Sequence, residues 1–249
     1  MLSKNQLKLV RSLELKKNRK RENLFVAEGP KVVGDLLRAG FLPHSIFMVE
    51  GGVLHIEDCG CMVQTVTDDE LRRLSFLQHP QEVLAVFHIP SSPRQRPNSG
   101  GPSLSLALDG VQDPGNVGTI VRIADWFGIH AIYCSPDTAD VYSPKVVQAT
   151  MGSLAHVPII YIDLVELLSH ATCPVYGTLL DGDDIYRQPL SEEGIIVMGN
   201  EGNGISEAVR PLITKRLLIP NFHAGNETAE SLNVAIATAI TCSEFRRRG

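Results

Sequence analysis

Five polar side chains in the C-terminal part of the chain, Asn116, Arg122, Glu201, Ser231 and Asn233, lie beside apolar runs that have no packing use for them. They fall in three glycine- and polar-rich islands: DPGNVGTIVRIADWFG from Asp113, IIVMGNEGNGIS from Ile195 and LLIPNFHAGNETAESLNVAIATAI from Leu217. Arg122 sits between Val121 and Ile123, one to two turns into an apolar helix, where a structural arginine would need an acidic partner. A guanidinium there suits a phosphate or a hydroxyl. Asn116 falls near the start of the same helix and reads equally well as its N-cap. In GNEGNG, Gly199, Gly202 and Gly204 allow close backbone approach and positive φ, and the Glu201 carboxylate can accept a hydrogen bond from a hydroxyl or amine. A strand-end turn without a ligand is the other reading of that segment. Ser231 is placed to cap the last helix, and Asn233 is a poor helix former in its first turn. Two polar groups at a helix N-terminus suit an anionic ligand.

The same spacings exclude several chemistries. G-x-x-G-x-G is not the dinucleotide fingerprint, no G-x-x-x-x-G-K-[ST] loop is present, and Ser231 does not lie in G-x-S-x-G. Nicotinamide, Walker-type nucleotide and serine-hydrolase sites are therefore disfavoured. Of eight histidines only His223 falls in an island, and it has no neighbouring pair of metal ligands. Cys59 and Cys61 form a CxC, whereas Cys134, Cys173 and Cys242 stand singly, so the expectation is reduced thiols and no metal.

The elements that must position these residues alternate regularly. SLSLALDG, HAIYCS, CPVYGTLL, GIIVMG and RLLIP read as strands; NVGTIVRIADWFG, SPKVVQATMG, LVELLSH and SLNVAIATAITCSEFRRR read as helices. Ser143 caps the second of these helices, with Pro144 in its first turn, and arginines close the last one. Alternation of this kind implies a mainly parallel sheet covered by helices. Its ligand crevice lies beyond the carboxyl ends of the strands, where all three islands fall. The run IPSSPRQRPNSGGPS, with four prolines and two glycines, separates this part from a smaller α/β unit built on LFVAEG, KVVGDLLRAG, SIFMV, DDELRRLSFL and VLAVF. The division is 1–90, a linker over 91–102, and 103–249.

With 249 residues, 43% of them hydrophobic and 20% charged, the chain has material for one or two cores and no apolar run long enough for a bilayer. Its N-terminus lacks a secretory pattern, so a cytoplasmic protein is expected. Charge is uneven: Lys4 to Arg21 carries eight basic residues and one acid, Glu14, against a whole-chain charge of −5. Leu7, Val10 and Leu13 make this arm an amphipathic helix, and its basic residues, among them Lys16, Lys17, Arg19, Lys20 and Arg21, read equally well as contacts for a polyanion and as a solvated helix face.

The three islands, in this order and with these five polar residues in place, resemble the three motifs of the SpoU (TrmH) family of RNA ribose 2′-O-methyltransferases, of the SPOUT class. NRKRENLFVAEGPKVVGDLLR, residues 18–38, resembles the start of that family's L30e-like substrate-binding domain. The resemblance implies an α/β SPOUT domain with a deep C-terminal trefoil knot after a small L30e-like α/β domain, S-adenosyl-L-methionine as cofactor, RNA as substrate, and a homodimer. The knot rests on the resemblance alone, since connection rules nearly exclude a threaded chain. Gly199, Ile219 and Leu232 match positions whose backbone holds the cofactor. Arg122 matches the arginine acting at the ribose hydroxyl, reaching the partner's cofactor pocket, while Asn116, Glu201, Ser231 and Asn233 match the surrounding polar ring. Ribosomal RNA is expected over transfer RNA, by family analogy; a non-catalytic RNA-binding or ribosome-associated protein is the alternative. One departure is that NFHAGNETAE, between Pro220 and Ser231, is about four residues longer than the family's loop.

Overall fold

The computed structural model describes residues 2–54, 63–92, 102–222 and 230–247. Cys59, Cys61, His223, most of the expected linker and most of the long Asn221 to Glu230 loop lie outside these. The chain divides into two compact units, Met1–Ser92 with Asp140–His156, and Pro93–Ala139 with Val157–Gly249.

The first unit begins with α1 (Lys4–Ser12), opened by a capping box in which Ser3 and Gln6 exchange side-chain and backbone hydrogen bonds. Then follow α2 (Lys16–Glu22), β1 (Leu24–Glu28), α3 (Pro30–Arg38), β2 (Pro43–Val49), β3 (Val63–Val66), α4 (Asp68–Leu74) and β4 (Val83–His88). The expected single basic helix is in fact two. The chain breaks at Leu13, which is fully buried in the core with Val10, Phe47, Leu84 and Val86. The sheet order is β1-β4-β2-β3, antiparallel except for β2 with β3. Residues 140–156, expected with the C-terminal part, group here. Their α6 (Pro144–Ala149), capped by Ser143, buries Val146 and Val147, and Tyr142 lays its ring 4.9 Å from that of Phe25.

The second unit is built on β5 (Leu104–Asp109), α5 (Pro114–Trp126), β6 (Ile132–Cys134), β7 (Ile159–Tyr161), α7 (Leu164–Ser169), β8 (Val175–Asp184), β9 (Gly194–Gly199), β10 (Lys215–Leu218) and α8 (Val234–Arg247). Its six strands are all parallel, in the order β10-β8-β9-β5-β6-β7. Six buried residues in β5 and five in β9 explain their mainly apolar sequences, because a central parallel strand is covered on both faces. α7 buries Leu164 and Leu168 with Ala107, Val175 and Val197, and α8 packs on α5 and β9. Arg246 donates from Nε to the Phe127 carbonyl at 2.8 Å and from Nη2 to that of Gly128 at 3.0 Å, so this arginine also closes the C-terminal end of α5.

The sheet order reverses between β5 and β9, the point where a crevice opens in a parallel sheet. Register pairs Asp109 with Gly199, so the first two islands leave the sheet side by side. The third enters α8, which packs against the helix of the first.

Candidate active site

Asp113, not Asn116, caps α5, its Oδ1 accepting the Asn116 N–H at 2.8 Å. That frees the Asn116 side chain, which donates from Nδ2 to Glu201 Oε1 at 3.0 Å and accepts at Oδ1 from Asn233 Nδ2 at 2.9 Å. Asn233 in turn caps α8. Its Oδ1 accepts the N–H groups of Ala235 at 2.9 Å and Ile236 at 3.2 Å. The expected cap, Ser231, lies two residues before this position, because α8 begins at Val234 rather than at Ser231. Asn233 therefore stands at the one helix position where its side chain is an asset.

Glu201 ties the chain of contacts to the first island. Oε2 accepts the Gln112 N–H at 3.2 Å, and Oε1 accepts that of Asp113 at 3.1 Å. Partial burial works against its charge, but the bonds from the Asn116 amide and from the backbone N–H groups of Glu201, Gln112 and Asp113 outweigh it and hold the carboxyl below the usual range. One line of hydrogen bonds thus joins the starts of α5 and α8 to the loop after β9. The acceptor oxygens of Glu201 face the protein's own donors, so its part is to position the site.

Asn200, which sequence reasoning passed over, shapes that loop. Its Oδ1 accepts from Gly202 and Asn203, its Nδ2 donates to the Gly110 carbonyl at 2.7 Å, and its backbone exchanges two hydrogen bonds of 2.9 Å with Gly204. The signal was present as an Asn two residues before a glycine, an Asx turn. Of Gly199, Gly202 and Gly204 in the second island, only Gly204 has positive φ, at 69°. Gly199 is glycine for another reason: a Cβ there would collide with the backbone of Gly204 and Ile205.

A cleft of about 570 Å³ opens beside this loop, and Gly199, Ile219 and Leu232 all line it, together with Glu201 and Ser231. Arg122 stands apart, exposed on α5, where its guanidinium makes no hydrogen bond or ion pair with any described residue. The acidic partner that a structural arginine would need is absent among those residues. In the first unit, Lys16, Lys17, Lys20 and Arg21 are exposed on α2, with Arg21 paired to Glu22. Arg19 departs from expectation. Only 2% exposed, it donates to Asp140 Oδ2 at 2.6 Å and to the carbonyls of Leu13 and Glu14, fixing the elbow between α1 and α2 instead of facing a phosphate. Its burial follows from a partner 121 positions away, which helical periodicity does not register.

Residues 103–243, more than half of the chain, match the model of the SpoU rRNA Methylase family. The chain belongs to the SpoU rRNA methylase family. Residues 4–85 match the MRM3-like substrate binding domain. Among curated proteins the chain is similar to the 23S rRNA (guanosine(2553)-2′-O)-methyltransferase RlmP of Bacillus subtilis (strain 168), 31% identical over 98% of this chain and 97% of that one. Among solved structures, a TrmH-family protein from Porphyromonas gingivalis superposes with a TM-score of 0.87 at 45% identity over the full length of both chains. An AdoMet-bound rRNA methyltransferase from Sinorhizobium meliloti superposes at 0.85, with 30% identity over 100% of this chain and 96% of that one. As a SpoU methylase the protein is a methyltransferase that uses S-adenosylmethionine, and its cleft fits that cofactor. The volume lies within the ~300–1,000 Å³ range of small-molecule sites. Its walls combine apolar side chains such as Leu179, Leu218 and Ile219 with the bare backbone of Gly199, which suits the faces and edge of an adenine base.

Proposed function

We propose that this protein transfers a methyl group from S-adenosyl-L-methionine to a ribose 2′-hydroxyl of ribosomal RNA, acting as a homodimer and by in-line displacement. The observation that carries the reading is the convergence of Gly199, Ile219 and Leu232 on one cleft, which the Glu201–Asn116–Asn233 contacts join to the helix bearing Arg122. Similarity along the whole chain to a protein named for a 23S rRNA guanosine favours ribosomal over transfer RNA. The match of residues 4–85 to a substrate binding domain supports a separate unit for recognising the substrate.

The bound cofactor supplies an electrophilic methyl group, so the protein's work is positioning and the handling of one proton. A guanidinium is not deprotonated in proteins, so Arg122 is not the base. It grips an RNA phosphate and stabilises negative charge on the ribose oxygen, while a phosphate oxygen or water takes the proton. Asn116, Glu201 and Asn233 hold the cleft and the start of α5 in register, and Ser231 faces the cleft beside Leu232.

Trp126, one turn beyond Arg122 on α5, is 85% exposed, and Ile236 on the packed helix α8 is 52% exposed. A partner subunit covering Trp126 would also meet Arg122, because residues four apart share a helix face. Lys16, Lys17, Lys20 and Arg21 contact RNA phosphates, with residues 1–90 serving substrate binding and 103–249 catalysis in the cytoplasm. The C-terminal segment completes the family's knot. Among the described residues no helix is long and apolar enough to cross a membrane.

The purified protein, given radiolabelled cofactor and separate pools of ribosomal and transfer RNA, is expected to label ribosomal RNA in alkali-resistant dinucleotides, the mark of a 2′-O-methyl group. Label on a base, or on transfer RNA alone, contradicts the reading.

A further inference from the structure

One wall of the cleft is made by an irregular stretch of β8. Where β10 advances one residue, from Arg216 to Leu217, its partners on β8 jump from Gly177 to Asp183. The intervening residues leave the ladder, and Thr178, Leu179, Leu180 and Asp181 line the cleft. Gly182 closes the excursion against the backbone of Leu217, where a Cβ would not fit. The excursion places Asp181 at the cleft, between two arginines. Arg210 Nη2 donates to Asp181 Oδ2 at 2.5 Å, and Arg216 Nη1 donates to the same oxygen at 3.2 Å. Two guanidinium groups on one carboxylate leave an excess positive charge. Hydrogen bonding from Arg210, reinforced by the charges of Arg210 and Arg216, keeps the Asp181 carboxyl below its usual range, so the trio persists at neutral pH.

Arg210 lines the cleft and Arg216 does not. Among the described residues Arg210 is the cleft's one cationic side chain, against the acidic Asp181, Glu201 and Glu230. Only Nη2 of its guanidinium is engaged, which leaves further N–H donors of a five-donor group unused. S-Adenosylmethionine carries two cationic groups, the sulfonium and the α-ammonium, and a single anion, the α-carboxylate. Acidic walls suit the cations, but the anion needs a cationic partner, and a planar fork matches a carboxylate.

We propose that Arg210, held in place by Asp181, is the carboxylate-binding residue for the amino-acid end of the cofactor, an inference that rests on reading the cleft as the S-adenosylmethionine site. Asp181 is a positioning residue in this account, and Arg216 offsets the charge of Asp181 from outside the cleft.

Isothermal titration of the full chain with S-adenosylhomocysteine and with its decarboxylated analogue isolates the carboxylate. The wild type is expected to prefer the carboxylate-bearing ligand by about tenfold, the scale of one charge-assisted hydrogen bond. Arg210→Gln should abolish that preference by weakening S-adenosylhomocysteine alone, and Arg210→Lys should keep part of it. Unchanged binding of the decarboxylated analogue shows that the variant is folded. A wild type that binds both ligands equally, or an Arg210→Gln variant that retains the preference or loses both ligands in parallel, overturns the assignment. A wild type that binds neither ligand overturns the reading of the cleft itself.

Discussion

Arg122 and Glu201 are both exposed charged residues of the islands, yet they do opposite things. The Arg122 guanidinium meets no described partner, whereas the Glu201 carboxylate is engaged at both oxygens by the chain's own donors. Arg122→Lys keeps the charge and loses the fork, so kcat with RNA should fall by on the order of 100-fold while the melting temperature is unchanged. Wild-type turnover in steady-state kinetics would remove the role assigned to it. For Glu201 the lowered pKa fixes the sign of a pH effect. Its contribution to stability is full above the ordinary glutamate value of about 4.3 and is lost as pH falls through the depressed folded value. Melting curves of wild type and Glu201→Gln should therefore differ at neutral pH and converge as pH falls through that depressed value; parallel curves across that range would show that the carboxylate is not held as described. Arg122 was legible because an arginine flanked by Val121 and Ile123 has no local use. Arg19 was not, because Asp140, which buries it, is distant in sequence.

Helix starts carry much of the site. Asn233 both caps α8 and donates to Asn116, so Asn233→Ala removes a cap worth about 1 kcal/mol and breaks the link between α8 and α5. The expected outcome is a lower melting temperature together with weaker S-adenosylhomocysteine binding. Asn233→Asp, which keeps the cap acceptor but cannot donate to Asn116, should recover stability more than affinity. Recovery of both by calorimetry and thermal melting would detach the cap from the site. The strands of the parallel sheet are readable because β5 and β9 are mainly apolar runs bounded by glycine and polar residues. Sequence alone starts α8 too early because Ser231 and Asn233 are both good caps, and only the bonds from the Ala235 and Ile236 N–H groups to Asn233 distinguish them. The elbow at Leu13 escaped periodicity because apolar spacing continues across it. The excursion in β8 escaped because Thr178 to Asp181 carries no turn signal until Gly182.

At the scale of the molecule, the parallel sheet and the N-terminal substrate-binding unit follow from the order of strands, helices and islands along the chain. The grouping of residues 140–156 with the N-terminal unit does not, because it depends on Tyr142 meeting Phe25 and on Arg19 meeting Asp140. The proposed dimer has its own test. Trp126→Glu places a charge on the exposed face of α5 and should give a monomer in sedimentation velocity that binds cofactor and fails to methylate RNA; an unchanged sedimentation coefficient would place the partner elsewhere. The central claim, ribose methylation of ribosomal RNA through Arg122, is tested most directly by mass spectrometry of ribosomal RNA from a strain lacking this protein. The account predicts loss of one 2′-O-methyl group, restored by the wild-type chain and not by Arg122→Ala. An unaltered set of ribose methyl groups, or full restoration by Arg122→Ala, would contradict it.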